Sequence, residues 1–447
     1  MRIVYQRCCG MDVHKDSVTA CLLVINQSGA LQTEKRQFGT MTRDLRQLAS
    51  WLASEGVQAI AMEARGVYWK PVWNILDAEK KFELLLVNAQ HIKCVPGRKT
   101  DPKDSEWIAD LLQHGLWRAS FVPPVEIRRL RDLTRMRTKI RQTLASFANR
   151  IQKVLEDANI KLGSVASDVL GVSGRHMLKA LLAGEQDPQK LANLAQGHLR
   201  KKLVPLQRAL EGHFTEHHRL QLKFLLEFVE FGEKQLSNLD SEIQLLLTPV
   251  QAEPSVPQGD GTLGESKGSP PHATSRLQTA VELWDSIPGI DQLAATTLVA
   301  EIGANMDQFP SARHLAAWAG LCPGNDESAG KRRSGKTRKG SVWLRRALFC
   351  QAAWAASRTK NTYLAAQYRR LIVRRGKKRT IVAVAHSRLI VAYCLLKRQC
   401  VYQDLGANYF DRVDERALTH RLVRKLIGLG YQVTLKPGGA EAAPETA

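Results

Sequence analysis

Apolar residues in the first part of the chain recur in short runs, separated by turn-forming and amphipathic segments. Five runs are typical of strands and cover residues 3–13, 17–25, 31–38, 57–62 and 82–87. Three segments with helical spacing cover residues 42–54, 68–78 and 104–116. Three strands in succession, followed by alternating helices and strands, predict an α/β ribonuclease-H-like domain.

The rest of the chain is predicted to be mainly helical. Within 125–248, apolar residues from Leu222 to Leu246 follow a heptad stripe that Gly232 interrupts, so a coiled-coil pair and an intramolecular helical hairpin both fit. Pro, Gly and Ser dominate 251–276, which predicts a flexible linker. We therefore expect an α/β domain (1–118), a helical or coiled-coil region (119–250), the linker (251–276), a second, mainly α domain (277–400), and a helical extension with a disordered tail (401–447).

Charge points to a polyanionic partner. The formal net charge is +22 and the isoelectric point is about 9.8, while a hydrophobic content of 44% is that of a globular protein. None of the eight cysteines forms a C-x-x-C pair, which favours a reducing cytoplasm over a disulfide framework or a zinc site. The apolar run 381–396 contains His386 and Arg388, so we expect a buried helix and no membrane span.

Ser328 lies in a glycine-containing stretch directly before a dense block of cations. Residues 331–346 contain eight Lys or Arg in sixteen positions and no acid, a composition that favours binding of nucleic-acid phosphate. A second basic segment covers 368–379. The predicted nucleic-acid-binding residues are Lys331, Arg332, Arg333, Lys336, Arg338, Lys339, Arg345, Arg346, Arg374, Arg375, Lys377 and Lys378.

Residues 330–337 also satisfy the P-loop pattern letter for letter. A phosphate-binding P-loop requires a buried strand before it and a helix immediately after it. Here a Pro-Gly-Asn-Asp-Glu stretch precedes the motif and Arg-Lys-Gly-Ser follows it, so ATP hydrolysis is rejected.

Four acids of the first domain are predicted to lie where strands and helices end: Asp12, Glu63, Asp101 and Asp104. Adjacent parallel strand ends would bring Asp12 and Glu63 together, and a helix start would add the other two. Carboxylate oxygens are ligands that suit Mg²⁺, and a pair of ions stabilises both the attacking and the leaving oxygen in a phosphodiester exchange. Asp101, which precedes a proline, is equally well explained as an ordinary helix cap.

Two further features have plainer interpretations. The turn at 286–290 lies between two predicted helices and would present backbone N–H groups to a phosphate, or form a plain helical hairpin. His213, His217 and His218 have the spacing of metal ligands on a helix but no neighbouring acids, so we expect a solvated face.

Taken together, these motifs resemble those of the transposases of the bacterial insertion-sequence family numbered one hundred and ten, also called bridge recombinases. The resemblance covers nearly the whole chain. In the first half it rests on Gly10-Met-Asp-Val-His14, Glu63 in 62–66 and Lys99-Thr-Asp-Pro-Lys-Asp104. In the second half it rests on 287–290, 300–303, 319–323, Ser328 with 330–331, and Gly340 before 344–345.

The resemblance implies a RuvC-like metal domain, in which the four acids hold Mg²⁺, and a separate domain whose Ser328 attacks DNA to form a covalent phosphoserine. It also implies that the substrates are donor and target DNA and that a structured bridge RNA is the guide. The protein would act as a homo-oligomer, a dimer or tetramer, whose copies contact one another through the helical region. This chain departs from the family in two places. Its linker is longer, and Asp291 stands where the family usually has the second glycine of a Pro-Gly-Ile-Gly turn.

Two other functions remain open at this point. A metal-dependent nuclease, such as a junction resolvase, would use the four acids alone and form no covalent intermediate. A non-catalytic nucleic-acid chaperone would have to keep four acids beside phosphates, which is electrostatically costly.

Overall fold

The computed structural model describes residues 2–26, 28–63, 66–87, 104–116, 119–248, 273–324, 326–337, 339–349, 358–413 and 415–435. The chain divides into two compact units, Met1–Pro123 and Pro124–Ala447. Asp101, most of the predicted linker and the predicted disordered tail lie outside the described residues.

The first unit contains a mixed sheet of five strands in the order β3-β2-β1-β4-β5. The antiparallel strands are β1 (Arg7–Val13), β2 (Ser17–Ile25) and β3 (Leu31–Gly39); β4 (Ala59–Glu63) and β5 (Glu83–Val87) continue from β1 in parallel. Its helices are α1 (Thr42–Ser54), α2 (Trp69–Glu79) and α3 (Asp104–Gln113). The predicted order of elements is confirmed and is consistent with a ribonuclease-H-like domain.

Helices cover both faces of this sheet, which explains why every residue of β1 and β4 except Arg7 is buried. On one face, Met11 and Ile60 pack in a cluster with Leu48 of α1 and residues of α2. On the other face, Cys8, Ala59 and Ala61 pack against α3. Residues at alternate positions of one strand therefore face different helices, and the even-numbered residues of β1 face α3.

The second unit is mostly helical. Its first half contains α4 (Val125–Asp157), α5 (Leu162–Val165), α6 (Val172–Leu182), α7 (Pro188–Asn193), a 3₁₀ turn (Gly197–Lys202), α8 (Leu203–Leu210) and α9 (Glu216–Leu247). Its second half contains α10 (Ala273–Asp285), α11 (Gln292–Ile302), α12 (Ala312–Trp318), β6 (Asp326–Ser328), β7 (Lys331–Ser334), α13 (Val342–Ala347), α14 (Tyr363–Arg398), α15 (Tyr409–Val413) and α16 (Glu415–Gly428).

The heptad stripe of α9 packs against α4 of the same chain, so the intramolecular hairpin is the arrangement that forms. The two helices run antiparallel, since Arg137 pairs with Asp240 near one end and Asp157 with His218 near the other. Gly232 lies in the seam, where an added Cβ would be 2.5 Å from a methyl group of Leu144. The glycine that interrupts the sequence pattern therefore leaves room for Leu144 of the neighbouring helix.

His218 corrects the prediction of a solvated histidine face. Its side chain is buried at the start of α9, where Nδ1 accepts a hydrogen bond from the Thr215 backbone N–H at 3.1 Å. The opposite ring nitrogen, Nε2, lies 3.0 Å from Asp157 Oδ2 at the end of α4. Because Nδ1 accepts, Nε2 carries the proton and donates to the carboxylate. His218 thus joins the two helix ends, whereas His213 and His217 are exposed as predicted.

Helix α14 is long and apolar enough to cross a membrane by length and composition alone. Its second half instead packs in the core of the unit, with Leu389 fully buried. Arg388 is also buried there and donates from Nη2 to the Pro288 carbonyl at 2.7 Å. These contacts agree with the predicted buried helix. Gly376, with φ of 72° and ψ of 164°, interrupts α14 within the second basic segment.

Candidate functional sites

Two of the predicted acids lie on neighbouring parallel strands at the same level of the sheet. Met11 of β1 pairs with Met62 of β4, so Asp12 and Glu63 are the next residues along each strand. Side chains in register point to the same face, and this is the face that α3 covers. Asp12 is 8% exposed and Glu63 is 3% exposed. The strand register thus brings together the pair that the sequence predicted from strand ends.

Helix α3 runs antiparallel to β1 and begins at the level of these acids. Ser105 and Ala109 lie against Gly10, Cys8 contacts the Ala109 carbonyl, and the Gln113 carbonyl accepts from Val4. The helix therefore has its N-terminus toward Asp12, and Asp104 is its first residue. A negative charge in the first turn is favourable for the helix and gives this end of the sheet a third carboxylate.

The two carboxylate oxygens of Asp12 differ in their contacts. Its Oδ2 lies 3.0 Å from Nε2 of His14, a side chain that is 49% exposed. Its Oδ1 is buried and has no hydrogen-bond partner within the described part of the chain. A buried carboxylate oxygen is costly without a donor or a cation, so the donor set fits an oxygen-binding divalent metal. Among described residues, however, no group of three or more His, Cys, Asp or Glu side chains lies close enough to hold an ion, and Asp101 lies outside them.

Ser328 is placed by a β-hairpin in a unit that was predicted to be helical. It is the last residue of β6 and pairs with Lys331, the first residue of β7. The two residues between them, Ala329 and Gly330, have φ of 50° and 72°. Positive φ at both positions defines the type I′ turn that fits the twist of a hairpin. Ser328 therefore lies at the tip, although its side chain is outside the described part of the structure.

Ala329 adopts a backbone conformation that non-glycine residues rarely take. Its Cβ makes the left-handed region unfavourable by about 1–2 kcal/mol. The base of the hairpin is held by a bridge between Pro323 and Thr337 and by a hydrogen bond from Gly324 N to Lys336 O at 2.8 Å. A strained turn at the tip of a held hairpin is a frequent feature of functional sites.

The predicted nucleic-acid-binding residues fall in two segments of the chain: the hairpin with the residues that follow it, and the break in α14. Lys331, Lys336, Lys339 and Arg346 are exposed. Arg345 is partly buried and donates to Thr337 Oγ1 at 3.2 Å. The side chains of Arg332 and Arg333, and all of Arg338, lie outside the described residues.

In the second basic segment, the cations beside Gly376 are all exposed: Arg374, Arg375, Lys377 and Lys378. Val373, next to them, is 87% exposed. Closely spaced exposed cations suit a polyanion, because each phosphate they neutralise releases bound counterions.

Two sequence motifs can now be assigned. The P-loop pattern falls on β7, and the next helix begins only at Val342, so its rejection as a phosphate cradle is confirmed. The turn at 286–290 forms the plain helical hairpin, between α10 and α11. Asp291 caps α11 there, with its side chain accepting from Ala294 N at 2.7 Å. That carboxylate already satisfies the helix N-terminus and would repel a phosphate.

One buried ion pair in the second unit was not predicted from the sequence. Glu301, near the end of α11, is 2% exposed and pairs with Arg135 of α4 through two hydrogen bonds of 2.7 and 2.9 Å. The available signal was a single carboxylate in an otherwise uncharged helix, since a buried charge requires a partner.

Comparison with protein-family models gives two matches to this chain. Residues 9–160 match a transposase model of the DEDD type from the IS110 family, and residues 281–369 match a model described as transposase of the IS116/IS110/IS902 family. No curated protein matches the chain. Both models describe transposases. The first covers most of the unit with the five-stranded sheet, and the second covers the serine hairpin. The chain belongs to the IS110 family of transposases.

Proposed function

We propose that the chain is a DNA transposase of a bacterial insertion sequence that cleaves and rejoins strands through a covalent bond between Ser328 and a DNA phosphate. In the forward step, Ser328 Oγ attacks the phosphorus of a phosphodiester. The Oγ–P bond forms as the bond from phosphorus to the leaving deoxyribose oxygen breaks. The serine proton is lost and the leaving oxygen gains one. Attack by the hydroxyl of another strand reverses these changes and joins that strand.

The observation that carries this proposal is the position of Ser328 at the tip of a strained hairpin that carries exposed cations. The two-residue turn after Ser328 has positive φ at both positions. Exposed Lys331 and Lys336 can contact the phosphates that flank the attacked bond. A phosphoserine retains the energy of the broken phosphodiester, so joining requires no nucleoside triphosphate.

We propose that the first unit is a RuvC-like metal domain in which Asp12, Glu63, Asp101 and Asp104 hold Mg²⁺. When bound, Mg²⁺ would neutralise charge that develops on phosphate oxygens. The orphaned Oδ1 of buried Asp12 and the adjacent position of Glu63 support this assignment. His14, half exposed beside Asp12, would donate to a carboxylate oxygen and orient it.

Two further partners belong to the proposal. A structured bridge RNA would select donor and target DNA by base pairing, and the family resemblance together with the net charge of +22 supports it. A second copy of the chain would bind on α9, where Phe224, Phe228 and Phe231 are 53%, 55% and 62% exposed. These residues are spaced by four and three positions, so they share one face of the helix and form an apolar stripe that association would bury.

The decisive experiment follows label from DNA to protein. Purified chain, Mg²⁺, the flanking transcript of the element, and end-labelled donor and target DNA are incubated and then denatured. We expect label on the wild-type protein and none on Ser328→Ala or Asp12→Asn. Ser334→Ala is the matched control, because Ser334 lies on the other strand of the same hairpin and its hydroxyl accepts only from Lys336 N within the described part.

The outcomes separate the alternatives. An adduct that requires Ser328 and Asp12 supports the covalent mechanism, and its dependence on the transcript supports RNA guidance. Cleavage without an adduct, unchanged by Ser328→Ala, would contradict the serine mechanism and leave a metal-dependent nuclease of the junction-resolvase kind. If the protein produces no cleavage and forms no adduct, the result would favour a role in nucleic-acid binding alone.

A further inference from the structure

Three cations on one face of α4 contact the end of α11 and the start of α13. Arg131, Arg135 and Lys139 are spaced four residues apart, so they project from the same side of the helix. Arg131 donates from Nε to the Ala300 carbonyl at 2.9 Å and from Nη2 to the Glu301 carbonyl at 2.7 Å. These are among the last carbonyls of α11, which have no partners within their own helix. Arg131 thereby fixes the C-terminal end of α11 to α4.

The second cation of the face, Arg135, forms a bidentate ion pair with a buried carboxylate. Glu301 is 2% exposed, and its Oε1 and Oε2 accept from Nε and Nη2 of Arg135 at 2.7 and 2.9 Å. Oε2 also accepts from Ser341 Oγ at 3.1 Å. All three hydrogen bonds go to an ionised acceptor, the stronger class of hydrogen bond, and the planar guanidinium fixes their direction. The carboxylate therefore links α4, α11 and Ser341.

Ser341 is the residue at which the hairpin segment becomes α13. Its hydroxyl also caps α13 by accepting from Leu344 N at 3.3 Å. Two residues on, the Trp343 ring lies 5.5 Å from both Arg135 Cζ and Lys139 Nζ, within cation–π range. On the other side, an added Cβ on Gly340 would lie 2.3 Å from the Ala319 carbonyl oxygen. The backbone that leaves the hairpin is thus confined from two sides.

We propose that Glu301 is a positioning residue: with Arg135 and Ser341 it sets the place from which the Ser328 hairpin projects, and it ties that place to helix α4. The inference deepens the proposed function and rests on it for its catalytic meaning. A buried ion pair contributes little net stability compared with apolar residues of the same volume, so its value lies in fixing one geometry. Helix α4 also packs against α9 in the antiparallel helical hairpin, and the phenylalanine stripe of α9 is the proposed contact with a second copy. Movement of α4 on assembly would therefore reach the serine hairpin through this carboxylate.

The test uses two arginines of α4 as a matched pair. Arg135 pairs with Glu301, and Arg137 pairs with Asp240 of α9, each through Nε and Nη2. Amide hydrogen exchange is measured on peptides that cover 326–337 in the full-length chain. We expect Arg135→Met to accelerate exchange there by at least about tenfold, through more frequent local opening, while Arg137→Met leaves it unchanged.

A second pair of variants protects the test against misfolding and adds a catalytic readout. Ser341→Ala removes the hydroxyl at a partly buried surface position, and Ser341→Thr restores it. We expect the alanine variant to bind DNA with wild-type affinity, form the Ser328 adduct about tenfold more slowly, and exchange faster at 326–337. The threonine variant should recover both rates.

Each result has one meaning. Unchanged exchange at 326–337 in both Arg135→Met and Ser341→Ala, or an equal effect of Arg137→Met, overturns the positioning role. Weaker DNA binding with an unchanged adduct rate on bound DNA also overturns it, since that pattern describes a binding residue. A wild-type chain that forms no adduct contradicts the proposed function alone, and the exchange measurement still decides whether Glu301 holds the hairpin.

Discussion

Gly10 allows helix α3 to lie directly on strand β1, and Gly10→Ala tests how the acid site is positioned. A Cβ added at this position would be 2.3 Å from both the Ser105 carbonyl oxygen and the Ala109 amide nitrogen, where ordinary contacts begin at 3.4 Å. Both neighbours are backbone atoms of a helix, so neither can rotate away. The strand and the helix must therefore separate by about 1 Å.

That separation has two calculable consequences. The cluster between sheet and helix, which includes Cys8, Ala61 and Ile108, would lose contacts. Overpacking of this kind costs about 1–3 kcal/mol. Asp104, at the start of the displaced helix, would move relative to Asp12 by a distance well beyond the tolerance of about 0.2 Å for a metal ligand. We therefore expect Mg²⁺ affinity to fall by at least about tenfold.

The assay combines urea unfolding with titration calorimetry of Mg²⁺ on the full-length chain. Gly163→Ala is the control, because its added Cβ would meet only one side-chain atom at 3.8 Å. We expect this control to change stability by less than about 1 kcal/mol and to leave Mg²⁺ binding unchanged. Wild-type stability in Gly10→Ala would refute the argument that close backbone packing sets the position of α3. Lower stability with unchanged Mg²⁺ affinity would refute the assignment of Asp104 to the metal site.

Four other predictions concern separate parts of the chain. Gly232→Leu should destabilise the second unit by about 1–3 kcal/mol in urea, because the seam has no room for a side chain. His218→Ala should cost about 2 kcal/mol by the same measurement, whereas His217→Ala, at an exposed position, should be nearly neutral. Burial raises the pKa of the Cys8 thiol from 9.0 to about 12, so the unfolded chain ionises first as pH rises. The pKa values of the Cys9 and Cys21 thiols are raised by burial as well, so Cys8→Ala should still lose stability above pH 9. The variant should lose about 1.4 kcal/mol less than the wild type between pH 7 and pH 10, in urea unfolding at the two pH values. Lys377→Ala should weaken DNA binding and lower the salt slope by about 1, with no change in adduct rate on bound DNA.

The sheet and the acid pair could be predicted because their signals are local and strong. Buried strands of a parallel arrangement read as continuous apolar runs, and a carboxylate at the end of such a run is conspicuous. Parallel pairing then places Asp12 beside Glu63 without further information. The position of α3 required the structure, since nothing in the sequence states that Gly10 lies beneath Ala109.

The serine hairpin could not be predicted for equally physical reasons. Its strands have only three and four residues and consist of acids, cations and serine, so they carry no alternation of apolar and polar positions. Its turn contains Ala329-Gly330 in place of the Asn-Gly or Asp-Gly pair that predicts positive φ. The fold of this segment depends on contacts at its base and with distant residues such as Glu301, which lie far apart in sequence.

The departures from the most stable local structure coincide with the residues to which we assign a role. Ala329 takes a left-handed conformation where glycine would be less strained. Glu301 is the one charged residue of its helix, at a buried place where a hydrophobic side chain would satisfy packing. Asp12 keeps a buried oxygen without a described donor. A chain selected for stability alone would remove each of these features by a single substitution, because each is local. The three features lie on the serine hairpin, at Glu301 and at the end of β1. Their presence is explained if transposition requires the geometry that they impose.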